Sequence, residues 1–114
     1  MGNVKQAIRL YDKALKINSQ NFDALLNKGS SLHTLGNYKE ALIYYDKALK
    51  TDKKSAMALA YKGLSLGELG DFSNAIKLFK KALSIDKNFD IASISKEIAQ
   101  ELLKSINEEK SKIQ

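Results

Sequence analysis

Residues 22–55, FDALLNKGSSLHTLGNYKEALIYYDKALKTDKKS, are followed by a second stretch of equal length, residues 56–89, AMALAYKGLSLGELGDFSNAIKLFKKALSIDKNF. Aligned without a gap, the two stretches are identical at 14 of 34 positions. The same shift aligns residues 2–21 with residues 36–55, with 10 identities in 20 positions. A period of this length predicts an array of similar folded units that stack on one another.

Each unit is predicted to contain two helices, because Gly36 and Gly70 stand where one helical pattern stops and the next begins. Proline, which would break such helices, is absent from the sequence. We predict helices over residues 3–17, 22–35, 38–51, 56–69, 72–85 and 90–108. The whole chain, 1–114, is then one domain composed of a half repeat (2–21), two repeats (22–55 and 56–89), a C-terminal capping helix (90–108) and a tail (109–114).

The second helix of each unit carries a small, an aromatic and a small residue on one face, as in Ala41, Tyr45 and Ala48. Alanines allow a neighbouring helix to approach, and the ring fills the space between them. Gly29 and Gly63 recur inside the first helix of each unit, where glycine is about 1 kcal/mol less favourable than alanine. We therefore expect the two helices of a unit to be in close contact at these glycines.

This pattern resembles the tetratricopeptide repeat, a helix-turn-helix unit that carries small residues where Gly29, Ala41 and Ala48 stand. The sequence departs from that family at Lys53 and Lys87, where a proline is usual. The resemblance implies an all-α solenoid, a right-handed superhelical stack of about six helices. It also implies a non-catalytic scaffold that binds a peptide or a partner protein in a concave groove.

The groove is assigned to the face of each first helix that is left after the packing residues are removed. On residues 22–35 this face holds Asp23, Leu26, Asn27, Ser30, His33 and Thr34, and on residues 56–69 it holds Met57, Ala60, Tyr61, Leu64, Gly67 and Glu68. The alternative is that these residues pack beneath the C-terminal helix. The predicted peptide contacts are Leu26, Asn27, Ser30, His33, Met57, Tyr61 and Leu64.

Some members of the family hold the acidic C-terminal tails of heat-shock chaperones with lysines, arginines and asparagines of the groove. Asn27 matches one such asparagine, but Met57 and Tyr61 stand where cations would have to pair carboxylates. The sequence therefore disfavours this mode of binding.

The terminal helices lack the partners that the repeat pattern gives to the others, which suggests an alternative function in self-assembly. A last helix that covers the first helix of another copy would give a closed dimer or a head-to-tail string. Glu97 opposes this, because it stands where Gly29 and Gly63 allow close contact. The other interpretation is a monomeric segment of a longer array. The predicted self-association residues are Ala7, Tyr11, Ala14, Ile94, Ile98 and Leu102.

Composition limits the remaining classes of function. The chain has no cysteine, so thiolate metal sites and cysteine nucleophiles are excluded. Lys13, Lys47 and Lys81 form a ridge, but acidic residues are interleaved and no aromatic platform accompanies them, so we expect a solvated face and not a nucleic-acid site. His33 is the only histidine, and we predict no metal, cofactor or catalytic site. Without a signal peptide or membrane-spanning stretch, a cytoplasmic location is expected.

Overall fold

The structure is a computed structural model that describes residues 2–113, and α-helix is the only regular secondary structure among them. The helices are α1 (Gly2–Ile17), α2 (Phe22–Thr34), α3 (Tyr38–Thr51), α4 (Ala56–Glu68), α5 (Phe72–Ile85) and α6 (Asp90–Ile113). The predicted all-α class is confirmed, and the first five helices agree with the prediction to within one residue at each end.

The sixth helix is longer than predicted. It continues to Ile113, whereas the predicted helix ends at residue 108 and residues 109–114 are predicted to form a tail. That assignment is wrong for residues 109–113, where glutamate and lysine are good helix formers and no glycine or proline ends the helix. Residue 114 lies outside the described residues.

The turn inside each repeat follows from one glycine. Gly36 has φ +82° and Gly70 has φ +84°, a left-handed conformation that glycine adopts without steric penalty. The next residue, Asn37, donates its backbone N–H to the carbonyl of Leu32, and Gly36 donates to His33. These two hydrogen bonds satisfy carbonyls that the helix end would leave unpaired. The chain therefore reverses within three residues and the two helices of a repeat lie side by side.

The core confirms the small, aromatic, small pattern. Ala41 and Ala48 are fully buried, and Tyr45 between them is 2% exposed. A Cβ atom on Gly29 would lie 2.6 Å from Cε1 of Tyr45, and one on Gly63 would lie 2.6 Å from Cε1 of Phe79. The glycines are therefore required by the close approach of an aromatic ring and not by backbone conformation.

The helices stack serially, each against the next, and the even-numbered helices also touch one another in order, α2 with α4 and α4 with α6. The result is an elongated molecule of 54 × 30 × 20 Å. Lys28 of α2 forms an ion pair with Asp12 of α1, and Lys62 of α4 forms the matching pair with Asp46 of α3 at 2.7 Å. The odd- and even-numbered helices are thus joined across repeat boundaries by polar as well as apolar contacts.

Candidate functional site

The candidate site lies on α2, α4 and α6, on the side of these helices that is not packed against the odd-numbered helices. The repeat shift of 34 residues places Asn27, Tyr61 and Ser95 at one position of α2, α4 and α6. It also places Ser30, Leu64 and Ile98 at the adjoining position. Leu64, Ser95 and Ile98 line the same cavity, so this face continues from α4 onto α6. We call it the groove face.

On α2 the groove face is polar. Asn27 is exposed, and Ser30 and His33 are half-buried. Leu26, which the sequence analysis counted as a peptide contact, is 5% exposed and belongs to the core around Tyr45. That assignment is wrong, because Leu26 is buried in the core, as is its counterpart Ala60 in the next repeat. Leu26 is therefore removed from the candidate site.

On α4 the groove face is largely apolar. Met57 is 46% exposed, whereas Tyr61 and Leu64 are half-buried. The ring centroid of Tyr61 lies 6.2 Å from that of Tyr45 in a tilted arrangement, so part of this side chain supports the core. Leu64 packs against the core beside Phe79. Met57 is consequently the most exposed of the three predicted contacts on this helix.

On α6 the groove face is a row of exposed aliphatic side chains. Ile98 is 55% exposed and Leu102 is 45% exposed, and both line the cavity shared with Leu64. Ile98 and Leu102 are among the predicted self-association residues, and both lie on the groove face beside Leu64. Ile91, at the position of Met57, extends the row and is also exposed. Ile94 occupies the position of Leu26, and its exposure follows from the lack of a packed helix after α6 among the described residues.

Three positions on the side of α6 that a following odd-numbered helix would cover are polar. In α4 the corresponding side contacts α5 through Leu59, Gly63 and Leu66. The repeat shift replaces these three residues by Ser93, Glu97 and Gln100 in α6. Packing another helix there would bury a carboxylate and an amide without designed partners. Extending the repeat alignment into α6 would have shown this from the sequence.

The first helix is only partly covered. Ala7, Tyr11 and Ala14 are half-buried against α2, whereas their counterparts in α3 are almost completely buried. Leu10 of the same helix is exposed. The predicted stripe on α1 is therefore accessible from one side, and its predicted partners on α6, Ile94, Ile98 and Leu102, are exposed as well.

In the first full repeat, the side chain of His33 fills the space between α2, Tyr38 and Ser65 on the groove face. Its Nδ1 atom lies 2.8 Å from Oγ of Ser65, and its ring meets the edge of the Tyr38 ring at a centroid distance of 5.0 Å. Burial lowers the pKa of His33 below its ordinary value, although the nearby carboxylate of Glu68 acts in the opposite direction. The imidazole thus packs between Ser65 and Tyr38, and burial favours its neutral form.

Gly67 opens the groove face in the second repeat, because it takes the position of His33. A Cβ atom on Gly67 would meet no atom within 4 Å. The space forms a cavity of about 340 Å³, which we call the Gly67 notch. It is lined by Gly63, Leu64, Gly67, Glu68, Phe72, Phe79, Ser95, Ile98, Ala99 and Leu102. Gly67 lies on the face that is predicted to be free, without a predicted role, and the His33/Gly67 difference between the repeats is the sequence signal for the notch.

The lysine ridge lies on other helices. Lys13, Lys47 and Lys81 are exposed on α1, α3 and α5. Lys47 extends over the ring of Tyr44, with its Nζ 4.9 Å from the ring centroid. Among residues 2–113, the lining of the Gly67 notch includes none of these three lysines. The lysine ridge therefore contributes no charge to the lining of the Gly67 notch.

Two family models described as tetratricopeptide repeat match the sequence, one over residues 1–56 and the other over residues 56–89. The chain belongs to the tetratricopeptide repeat family. The expected resemblance is thereby confirmed over both full repeats and the half repeat before them. No curated protein sequence matches the chain significantly. Among residues 2–113, no helix of this tetratricopeptide repeat protein has the length and apolar character needed to cross a membrane.

Solved tetratricopeptide repeat domains share the fold at low sequence identity. The Arabidopsis OM64 domain superposes with a TM-score of 0.83 at 23% identity, covering 88% of this chain and 83% of that one. The Sgt2 domain from Aspergillus fumigatus gives a TM-score of 0.87 at 23% identity, covering 94% and 72%. The first such domain of Spaghetti (RPAP3), bound to the HSP90 peptide SRMEEVD, gives 0.86 at 20% identity, covering 90% and 81%.

Proposed function

We propose that this protein is an interaction module that binds a peptide or a segment of a partner protein along the groove face. The observation that carries the proposal is the row of exposed aliphatic side chains on α6, Ile91, Ile98 and Leu102, which adjoins Leu64 and the Gly67 notch. A contiguous apolar surface of this kind is uncommon on a soluble protein unless it has a partner. An amphipathic helix or an extended segment with apolar side chains suits it best.

The structural relatives support a peptide as the class of partner. The Spaghetti domain, which has the same fold, is bound to SRMEEVD, a peptide with two adjacent glutamates and a terminal aspartate. In this chain Met57 and Tyr61 occupy groove positions where lysine or arginine would be needed to pair such carboxylates. We therefore propose a peptide partner but not an acidic chaperone tail.

The test is a selection of random 12-residue peptides displayed on phage against the wild-type protein. Individual selected peptides are then titrated by fluorescence anisotropy. The variant Ile91→Ser/Ile98→Ser should weaken binding at least about tenfold, because it removes two apolar contacts of the groove face. Ile43→Ser changes an equally exposed isoleucine on α3 and serves as the control. If no peptide is enriched, or if both variants bind like wild type, the proposal is wrong.

Self-assembly through the terminal helices is the second candidate, supported by the half-exposed Tyr11, whose counterpart Tyr45 is buried. Its weakness is the polar surface of Ser93, Glu97 and Gln100 on α6. Light scattering over a concentration series tests it, with Tyr11→Lys as the disrupting variant. A wild-type protein that is monomeric at every concentration would eliminate this candidate.

The pair His33 and Ser65 is not proposed as a catalytic base and nucleophile. Its geometry, 2.8 Å between Nδ1 and Oγ, would suit proton transfer. However, Ser65 is fully buried, so a substrate cannot reach its oxygen. The pair acts as a structural link between repeats.

A further inference from the structure

The two full repeats differ at one place on the groove face, where the second repeat has smaller and less polar residues than the first. In the first repeat, the imidazole of His33 packs on Tyr38 and hydrogen-bonds Ser65 of the next repeat. In the second repeat, the shift of 34 residues replaces His33 by Gly67 and Ser65 by Ala99. Both replacements remove polar atoms, and the first also removes a ring. The second repeat therefore has an open apolar space where the first has a filled polar contact.

The walls of this space are apolar side chains from three helices. Leu64 comes from α4, Phe72 from α5, and Ile98 and Leu102 from α6. Phe72 holds the position of Tyr38, the ring against which His33 packs in the first repeat. A ring or a branched aliphatic group that enters the notch would thus find the same type of aromatic surface. Concave apolar sites of this kind usually hold the anchoring side chain of a bound segment.

The rim of the notch is acidic. Among the described residues that line it, Glu68 alone carries a charge, and this residue is exposed. The excess positive charge of the chain, +6, is carried elsewhere, in part by exposed lysines on the odd-numbered helices. A cationic side chain next to the anchor would meet an unlike charge at the rim, whereas an acidic one would meet a like charge.

We propose that the Gly67 notch receives one bulky apolar side chain, leucine, phenylalanine or a residue of similar size, from a segment that carries lysine or arginine beside that anchor. This inference rests on the proposed function and specifies the chemistry of its partner. The notch supplies affinity through the anchor, and Glu68 supplies a preference of charge.

The test compares the peptides selected by wild-type protein with those selected by three variants. Gly67→His installs the residue that the first repeat carries at this position, and it should fill the notch without disturbing the helix. Gly67→Ala is the matched control, because it adds a single methyl group in open space. Glu68→Lys reverses the charge at the rim. Circular dichroism and thermal unfolding confirm that each variant is folded before selection.

Wild type and Gly67→Ala should select peptides with a shared bulky apolar position flanked by lysine or arginine. Gly67→His should bind those peptides at least about tenfold more weakly, the usual effect of losing an anchoring side chain. Glu68→Lys should weaken them about two- to fivefold, as expected for an exposed ion pair, and should shift selection toward acidic flanks.

The two proposals fail in different ways. If wild type enriches peptides that the Ile91→Ser/Ile98→Ser variant does not bind, but Gly67→His binds them like wild type, the notch is not an anchor site and only this inference is overturned. Selected peptides without a shared bulky apolar position, or with acidic flanks, overturn it equally. If wild type enriches no peptide, both the inference and the proposed function are wrong.

Discussion

His33 of α2 and Ser65 of α4 are joined by a contact of 2.8 Å between Nδ1 and Oγ, and this contact crosses the boundary between successive repeats. The hydroxyl of Tyr45 lies near Ser30 and Ser65, and burial raises the pKa of Tyr45 to about 12. These side chains form a small polar cluster inside an otherwise apolar stack. Among the described residues, no buried side-chain nitrogen or oxygen lacks a hydrogen-bond partner. Because His33 belongs to this cluster, its protonation is linked to the stability of the folded protein.

Stability should decrease as the pH falls from about 7.5 to about 5.5. Burial lowers the pKa of His33 in the folded protein below its ordinary value of 6.5. Below pH 6.5 the unfolded chain consequently binds more protons than the folded protein, and protons favour unfolding until His33 is also protonated in the folded state. Urea unfolding at the two pH values measures the effect, and His33→Gln should remove most of the difference. An unfolding midpoint that rises on acidification would contradict the assigned direction.

Gly63→Ala should destabilise the protein, whereas Gly67→Ala should stabilise it. A methyl group on Gly63 would collide with the ring of Phe79, which is 2% exposed and cannot move aside. Overpacking of this kind costs about 1–3 kcal/mol and outweighs a gain in helix propensity of about 1 kcal/mol. At Gly67 only the gain applies, because the space is open. Chemical denaturation of the two variants provides the comparison, and equal effects would show that ring packing does not select glycine at residue 63.

Lys80→Glu should stabilise the contact between α5 and α6. The ion pairs Lys28–Asp12 and Lys62–Asp46 join earlier helices, but the equivalent residues here are Lys96 and Lys80, two like charges. Burial acts to lower the pKa of Lys28, but the neighbouring Asp12 carboxylate and Tyr44 outweigh this and leave the pKa raised. A new pair with Lys96 should add about 0.2–1 kcal/mol at low salt.

Salt provides the control for this prediction. The gain from Lys80→Glu should shrink in about 1 M salt, where screening acts over about 3 Å. Lys80→Gln removes the like charge without creating a pair, so it should give only part of the gain. Equal stability of the Glu and Gln variants at low salt would argue against the ion pair.

Leu26→Ala should lower the free energy of unfolding strongly, whereas Ile98→Ser should hardly change it, because Leu26 is a core residue and Ile98 is on the groove face. Leu26 is 5% exposed, and its truncation should cost about 2–5 kcal/mol, as for other buried leucines. Ile98 is 55% exposed, so its replacement by serine should change the free energy of unfolding by no more than about 0.5 kcal/mol. Thermal and urea unfolding would reveal both effects. A large loss of stability in Ile98→Ser would mean that the α6 row supports the fold and is not reserved for a partner.

The repeat and its helices could be predicted from the sequence because they depend on local signals. Gly36 ends one helix and Gly29 marks a close contact, and both recur after 34 residues. The site was harder, because the side of a helix that faces a neighbour depends on where that neighbour lies. Leu26 is predicted to lie in the groove, but it is buried in the core. Ile98 is predicted as a self-association residue, and its position beside Leu64 follows from the sequence only when α6 is treated as a third copy of α2 and α4.

The notch could not be predicted as a cavity, because its volume depends on residues from α4, α5 and α6 together. Only the absence of a side chain at Gly67 is a property of the sequence. Whether such an absence leaves a hole or is filled by a neighbour is decided by tertiary packing. In this protein the neighbours Phe72 and Leu102 stand at the walls and leave the centre open.

The polar surface of Ser93, Glu97 and Gln100 on α6 bears on how copies of this molecule behave when crowded. Stacked helical units risk unlimited addition, just as an uncovered strand edge recruits further strands. A carboxylate where glycine would otherwise admit an aromatic ring makes such addition unfavourable at this end. The same three side chains would have to be exchanged before anyone could lengthen the array by grafting new repeats onto α6.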